Sequence, residues 1–218
     1  MKKGYTHITI LLDRSGSMID VSQDVRGGIA TFLDEQKLDP GECTISLHQF
    51  DDKFEVSENF TPISEVNSHI DFQPRGSTAL FDSVAKSIIE TGSALSAMNE
   101  EDRPENVIMV IFTDGAENAS REYNHKAVSD MIKEQTEKYS WAFTFLGANI
   151  DAVSVGSSLN IGASNSVTYD VQNTQAMYGM LSSKISTARS GIEISAAKAM
   201  SFDDEDRFTA VAGSRPTP

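Results

Sequence analysis

The stretch ITILLDRSGSM, residues 8–18, joins an apolar run to three side chains that carry oxygen. The apolar residues 8–12 predict a β-strand and a helical pattern follows, so Asp13, Ser15 and Ser17 are expected in a loop at the carboxyl end of that strand. If the loop curls, a carboxylate and two hydroxyls at alternate positions can converge on a small hard cation. The same residues also suit a Ser/Gly turn with a helix cap, and the stretch alone leaves both interpretations open.

The composition is that of an acidic globular domain. A chain of 218 residues is long enough for one sizeable domain and short for two. Its hydrophobic fraction of 39% and charged fraction of 23% are ordinary, but its formal net charge is −14. Binding to a nucleic acid backbone or to an anionic membrane surface needs clustered Lys and Arg, so neither partner is expected. A cation or a basic partner is compatible with this charge.

The cysteine content and the first apolar run bear on location. Cys43 is the single cysteine, so no intramolecular disulfide is possible, and its apolar-alternating surroundings favour a buried thiol. The first run is interrupted by Thr6, His7 and Thr9, which favours a strand over a signal peptide. No stretch approaches membrane-spanning length. A cytoplasmic location is the resulting expectation.

The order of the remaining patterns predicts an α/β fold with a mostly parallel sheet. Residues 107–112 are almost continuously apolar, which is typical of a central strand covered on both faces. Residues 53–56 can return as a short, charged, antiparallel edge strand. The other expected strands are 8–12, 43–50, 141–146 and 166–169, and the expected helices are 21–33, 80–95, 127–132, 152–159 and 176–188.

Two more oxygen-bearing side chains stand at the ends of predicted elements. Asp114 directly follows the most buried strand, and Thr78 opens a helix that Ser77 or Thr78 can cap, with Asp82 in its first turn. Sites in such sheets lie at the carboxyl ends of the strands, beside a topological switch point. If the strands that carry Asp13 and Asp114 are neighbours, the oxygens of all three segments can meet on one rim.

Three motifs in order now support a family resemblance. Asp-x-Ser-x-Ser at 13–17, Gly-Ser-Thr-Ala-Leu at 76–80 and Phe-Thr-Asp-Gly at 112–115 resemble the von Willebrand factor A (vWA) domain and its metal-ion-dependent adhesion site (MIDAS). The resemblance covers roughly residues 5–189. It implies a doubly wound, Rossmann-like, mostly parallel six-stranded sheet with one antiparallel edge strand and helices on both faces.

The resemblance also implies a divalent cation, usually Mg²⁺, with Mn²⁺ or Ca²⁺ as alternatives. Ser15, Ser17 and Thr78 would be direct or near-direct ligands, and Asp13 and Asp114 would act largely through coordinated waters. An open coordination position would take an Asp or Glu carboxylate from a protein partner. Neutral hydroxyl ligands leave the cation's charge partly unneutralised, so the cation attracts an incoming carboxylate strongly. Arg14 is expected to point away from the cation because like charges repel.

The partner and the biological setting follow from the resemblance only in outline. Intracellular bacterial or phage-type members of the family often work with AAA+ ATPases, or within stress, tellurite-resistance or phage-associated systems. Nothing in this sequence selects one of these.

Two other functions are compatible with parts of the sequence. An aspartate after the first strand resembles metal-dependent phosphoesterases of the haloacid dehalogenase type, but their second Asp, two residues on, is Ser15 here. None of His7, His48, His69 and His125 lies near a motif, so the chain is not expected to be an enzyme. The second possibility is a scaffold that keeps the motif without using it.

Some polar residues near the predicted rim stay open between two roles. Asn149 and Asp151 can line the same rim or form a structural turn, and Glu117 and Asn118 can contact a ligand or simply make the loop polar.

The chain is predicted to divide into a vWA-like domain, residues 1–191, and an acidic, flexible C-terminal tail, residues 192–218. The acidic run 203–206, flanked by Phe202 and Phe208, can dock on a basic groove or fold back, but a solvated tail is the favoured interpretation.

Overall fold

The structure, a computed structural model, describes residues 1–190 and 194–212. Its framework is one six-stranded sheet with the spatial order β3-β2-β1-β4-β5-β6. Every neighbouring pair is parallel except β2 with β3, which is antiparallel at the edge. The strands are β1 Lys2–Asp13, β2 Glu42–Phe50, β3 Phe54–Pro62, β4 Pro104–Thr113, β5 Ala142–Ala148 and β6 Ser166–Tyr169.

The strand order confirms the predicted fold class. β1 lies between β2 and β4, so the sheet changes its direction of growth beside β1, and this is the topological switch point. Asp13 at the end of β1 is level with Phe50 at the end of β2, and Leu12 is level with Phe112 of β4. The carboxyl ends of these three strands therefore form one rim.

Helices cover both faces of the sheet. One apolar core joins alternate residues of β1 and β4 to α1 and α5, and a second joins the intervening residues to α2, α3 and α4. In β4, Ile108 and Val110 face the first core while Met109 and Ile111 face the second, which explains its continuous apolar run. The helices are α1 Ser22–Leu38, α2 Leu80–Ala97, α3 His125–Tyr139, α4 Ala152–Ser158, α5 Thr174–Arg189, α6 Ala196–Ala199 and α7 Asp204–Ala212.

Two strands, β1 and β3, extend furthest beyond their predicted bounds. β1 begins at Lys2, and its buried polar residues have partners on neighbouring elements: His7 Nδ1 lies 2.8 Å from Thr44 Oγ1 of β2, and Thr9 Oγ1 lies 3.0 Å from Thr91 Oγ1 of α2. β3 continues to Pro62, and its register against β2 shifts twice, which breaks the alternation that marks a strand in sequence. Among the described helices, none is long and apolar enough to cross a lipid bilayer.

The described part of the predicted tail, residues 194–212, differs from a solvated segment. Met200, Phe202 and Ala210 are buried in the first core, because α6 and α7 pack against α5 and the sheet. The acidic run has local partners: Asp203 Oδ1 accepts hydrogen bonds from the first turn of α7, and Asp206 lies 2.6 Å from Lys184 Nζ. The predicted boundary at 191/192 and the end of the tail, 213–218, lie outside the described residues.

Candidate metal centre

The Asp-x-Ser-x-Ser loop is folded around the carboxylate of Asp13. Asp13 ends β1 and is fully buried. Its Oδ1 accepts a hydrogen bond from the backbone N–H of Ser15 at 2.7 Å, and its Oδ2 accepts one from the hydroxyl of Thr113 at 2.6 Å. Thr113 ends β4, so these two bonds tie the loop after β1 to the neighbouring strand.

The two serines connect this loop to Asp114. Ser15 Oγ lies 3.0 Å from Ser17 Oγ, and Ser17 Oγ donates to Asp114 Oδ1 at 2.7 Å. Asp114 can be reached because β1 and β4 are adjacent, which is the condition that the sequence alone left open. Four of the five predicted site residues, Asp13, Ser15, Ser17 and Asp114, therefore form one polar cluster.

Thr78 closes the cluster from a third loop. The N–H of Gly16 donates to the carbonyl of Gly76 at 3.2 Å, so the two loops touch. A Cβ at Gly115 would lie 3.0 Å from Thr78 Oγ1, so the glycine lets this hydroxyl approach the residue after Asp114. The sequence suggested Ser77 or Thr78 as the cap of α2, but Ala79 occupies the N-cap position. All five predicted residues lie at one rim.

The loop after Asp114 holds Thr78 in place, a role that the sequence did not reveal. Thr78 N–H donates to Asn118 Oδ1 at 2.9 Å, and Asn118 N–H donates to the Thr78 carbonyl at 3.0 Å. Glu117 accepts from the N–H of Phe81 at 2.9 Å, and Asp82 accepts from three backbone N–H groups of residues 121–123. Carboxylates that satisfy the free N–H groups of a loop or helix start leave no periodic signal in the sequence.

Arg14 contacts acidic residues of neighbouring segments. Its Nε donates to Asp51 Oδ2 at 3.1 Å and its Nη2 lies 2.6 Å from Glu55 Oε1. Arg75 Nε donates to the same Asp51 oxygen at 2.8 Å. Arg14 and Asp51 are both buried, so this ion pair links the loop after β1 to the end of β2.

The electrostatics of the cluster fit a cation. The pKa of Asp13 is raised to about 6, chiefly by burial and to a smaller extent by the nearby Asp114 carboxylate, against the hydrogen bonds from Thr113 and Ser15 that lower it. Burial also raises the pKa of Asp114. In the described part of the chain, no Lys, Arg or His compensates either carboxylate.

The donor set narrows the kind of metal. Over residues 1–190 and 194–212, no three His, Cys, Asp or Glu side chains form a metal-binding group, so the centre consists of two carboxylates and three hydroxyls. Oxygen donors without imidazole or thiolate suit a small, hard divalent cation.

Asn149 and Asp151 have structural roles beside the rim. Asn149 adopts a positive φ of 54° and donates its N–H to the carbonyl of Tyr169 at 3.0 Å. Asp151 Oδ1 accepts from the N–H of Ser154 at 3.0 Å and thereby caps α4.

No family model matches the sequence, and no curated protein matches it in sequence. Solved structures do share its fold. Proximal thread matrix protein 1 (PTMP1) from the mussel byssus aligns with a TM-score of 0.65 at 14% identity, over 85% of this chain and 46% of that one. The vWF domain of the type V pili tip protein Mfa5 from Porphyromonas gingivalis aligns with a TM-score of 0.64 at 9% identity, over 84% and 95% of the two chains.

A von Willebrand factor type A protein from Catenulispora acidiphila gives a TM-score of 0.55 at 14% identity, over 89% of this chain and 42% of that one. A second structure of the mussel protein, described as having a zinc-occupied MIDAS motif, gives 0.60 at 14% identity, over 85% and 46%. The chain therefore has a vWA fold, and it spans a little under half of the mussel protein's length.

Proposed function

We propose that this chain is a metal-dependent protein-binding module whose rim cluster holds Mg²⁺ and accepts a carboxylate from a partner protein. The observation that carries the proposal is the pair of Asp13 and Asp114, two carboxylates without a cationic partner among the described residues, set among hydroxyls at the switch point. Ser15, Ser17 and Thr78 would hold the ion directly, and the two aspartates would act through water. When bound, the ion supplies a positive, oxygen-seeking charge.

The chain's own residues favour an anionic ligand from outside. Three of the five donors are neutral hydroxyls, so the cluster's negative charge does not exceed that of two carboxylates. Because these neutral hydroxyls would be the direct ligands and the aspartates would act through water, an open position on the ion would still attract a partner carboxylate. Thr113 and the N–H of Ser15 keep Asp13 oriented without adding charge.

The zinc-occupied MIDAS of the mussel protein supports a divalent metal in this fold. We choose Mg²⁺ because the oxygen-only donor set favours hard cations, and Mn²⁺ or Ca²⁺ remain alternatives for the same reason. We propose the cytoplasm as the location, on the single, buried Cys43, whose pKa burial raises to about 11.

Binding is proposed over hydrolysis because of where the histidines lie. His7 and His48 are buried against Thr44 and Ser87, and His125 contacts Ser158, so none of these three contacts the cluster. A metal-assisted phosphoesterase needs a base near the activated water. Mg²⁺-dependent turnover of a phosphoester that Asp114→Ala abolishes would contradict this part of the proposal.

A metal titration tests the centre itself. We expect Mg²⁺ and Mn²⁺ to raise the melting temperature of the wild-type chain and to bind in isothermal titration calorimetry. Asp114→Asn keeps the shape of the side chain but should abolish both effects. Asp130→Asn is the matched control, because Asp130 is exposed on α3 and pairs with Lys126. A wild-type chain that neither metal stabilises or binds would refute the metal centre.

A further inference from the structure

A cleft of about 370 Å³ opens on the same rim, beside Thr78. Ser77 and Ala79, the residues on either side of Thr78, line it, so the cleft and the candidate metal centre share one loop. Its walls also include the turn after β2, with Asp52 and Lys53, and the loop after β4, with Arg121.

The cleft gathers cations that have no partner. Of the Lys and Arg side chains in residues 1–190 and 194–212, those without an ion pair, hydrogen bond or ring contact are Lys3, Lys53, Arg121 and Lys198. Two of these four, Lys53 and Arg121, line this one cleft although they are far apart in sequence. In a chain of net charge −14, carboxylates are abundant, so two unpaired cations at one place stand out.

Two of the three acidic residues of the cleft already have partners in its own walls. Asp82 accepts backbone hydrogen bonds from residues 121, 122 and 123, and these bonds lower its pKa against the effect of burial. Glu122 pairs with Lys86 at 2.7 Å. Asp82 is buried and Asp52 is exposed, so the exposed charges of the cleft that lack an ion pair are Lys53 and Arg121, which are positive, and Asp52, which is negative.

We propose that this cleft binds a second acidic side chain of the same partner whose first carboxylate goes to the metal cluster. The partner would then present a segment with two closely spaced Asp or Glu residues. Lys53 and Arg121 supply the local positive charge that a di-acidic segment needs to approach an otherwise repelling surface. The inference rests on the proposed function and adds the chemistry of the partner to it.

Short synthetic peptides test the second subsite on the full chain. The probes are acetylated and amidated peptides with two Glu residues separated by one, two or three Gly, and matched peptides with Gln in place of either Glu. Dissociation constants come from NMR titration in 10 mM Mg²⁺ or in EDTA. In Mg²⁺, we expect the di-Glu peptide of at least one of the three spacer lengths to bind roughly three- to tenfold more tightly than the better of its two single-Glu peptides.

Charge variants identify the side chains responsible. Lys53→Gln with Arg121→Gln should remove the advantage of the di-Glu peptide while leaving the binding of the single-Glu peptides unchanged. Lys3→Gln with Lys198→Gln is the matched control: it removes the other two unpaired cations, neither of which lines the cleft, and should preserve the advantage. Asp52→Asn should increase the advantage, because it removes the remaining opposing charge.

The outcomes separate the two proposals. If single-Glu peptides bind in Mg²⁺ and not in EDTA, but the second Glu adds nothing with any spacer, the second subsite is wrong and the proposed function stands. If Lys3→Gln with Lys198→Gln reduces the advantage as much as the double cleft variant does, the effect is one of overall charge and the subsite is again wrong. If the single-Glu peptides do not bind, or bind equally in EDTA, the proposed function fails and the inference fails with it.

Discussion

At the scale of single residues, Asp51 and Asp52 show how strongly burial decides the effect of a carboxylate. Asp51 is fully buried and accepts from Arg14, Arg75 and the N–H of Lys53, whereas its neighbour Asp52 is exposed. Removing one partner of a buried ion pair leaves the other charge uncompensated, and this costs more than the pair contributes.

We therefore expect Asp51→Ala to lower the free energy of unfolding by about 3–5 kcal/mol. The adjacent Asp52→Ala should change it by less than about 0.5 kcal/mol. Urea unfolding of both variants measures the difference. Equal effects of the two substitutions would show that the buried network around Arg14 does not stabilise the rim.

The raised pKa of Asp13 gives the metal centre a defined pH dependence. Protons and metal compete for this carboxylate, whose pKa is about 6 without metal. The affinity for Mn²⁺ should be nearly constant above pH 7 and fall about tenfold per pH unit well below pH 6. Calorimetric titrations at pH 7.5, 6.0 and 5.0 measure it, and an affinity unchanged down to pH 5.0 would exclude Asp13 as a participant.

The sequence predicted the site residues better than the residues that support them. Asp13 and Asp114 could be placed because each directly follows an apolar strand. Asp82 was expected in the first turn of α2 and Glu117 was left open between two roles, but the partners of neither could be predicted, because they are backbone N–H groups that no periodic pattern encodes. Thr78 lies on the predicted rim, but neither Ser77 nor Thr78, the two residues suggested as caps, occupies the N-cap position of α2.

At the scale of elements, α1 and α5 pack so closely that two adjacent glycines of α1 differ in whether a side chain would fit. A Cβ at Gly28 would lie 2.0 Å from Cδ2 of Tyr178, whereas the nearest atom to a Cβ at Gly27 would be 3.6 Å away. Alanine favours a helix over glycine, so substitution helps only where space exists.

Gly27→Ala should raise the free energy of unfolding by roughly 0.5–1 kcal/mol, through helix propensity. Gly28→Ala should lower it by about 1–3 kcal/mol, because the new methyl group displaces the Tyr178 ring. Thermal unfolding followed by circular dichroism distinguishes them. A stabilising Gly28→Ala would mean that α1 and α5 are not in close contact.

Elements could be recognised from sequence more readily than their neighbours. The apolar run 107–112 placed β4 in the centre of the sheet, but the pairing of β1 with β4 joins residues far apart in the chain and has no local signal. The length of β3 was underestimated, since its register shifts interrupt the alternation.

At the scale of the whole molecule, the described C-terminal segment completes the first core. Met200 is fully buried there, and Val211 of α7 is 55% exposed. Met200→Ala should lower the free energy of unfolding by about 2–5 kcal/mol. Val211→Ala, the control in the same segment, should change it by less than about 0.5 kcal/mol. Chemical denaturation tests this, and a Met200→Ala variant as stable as the wild type would restore the solvated tail.

Two buried histidines set the acid stability of the molecule. Burial lowers the pKa of His7 to about 3 and that of His48 to about 4. Both imidazoles therefore stay neutral in the folded state at pH values where they bind protons in the unfolded state. Each histidine therefore contributes stability that is fully present above about pH 6.5 and is lost as the pH falls toward these values, by up to 1.4 kcal/mol per pH unit. Below about pH 6 the raised pKa of Asp13 opposes part of this loss, because the folded state binds that proton before the unfolded state does.

Unfolding in EDTA between pH 7 and 5 checks this dependence. The glutamine of His48→Gln cannot titrate, so the loss of stability with falling pH should be smaller than in the wild type by up to 1.4 kcal/mol per pH unit. A slope identical to that of the wild type would show that His48 is accessible to protons in the folded state.

The central place of β1 has a consequence for synthesis on the ribosome. One edge of β1 pairs with β2 early, but the other stays unpaired until residues 104–113 have emerged as β4. The side chains along that strand, such as Ile8, Ile10 and Leu12, are completely buried in the finished sheet. A free apolar edge is a template for pairing with another chain. The nascent protein is therefore most vulnerable to misassembly before residues 104–113 have emerged from the ribosome. The rim cluster forms only after that interval, because Asp114 immediately follows the strand that ends it.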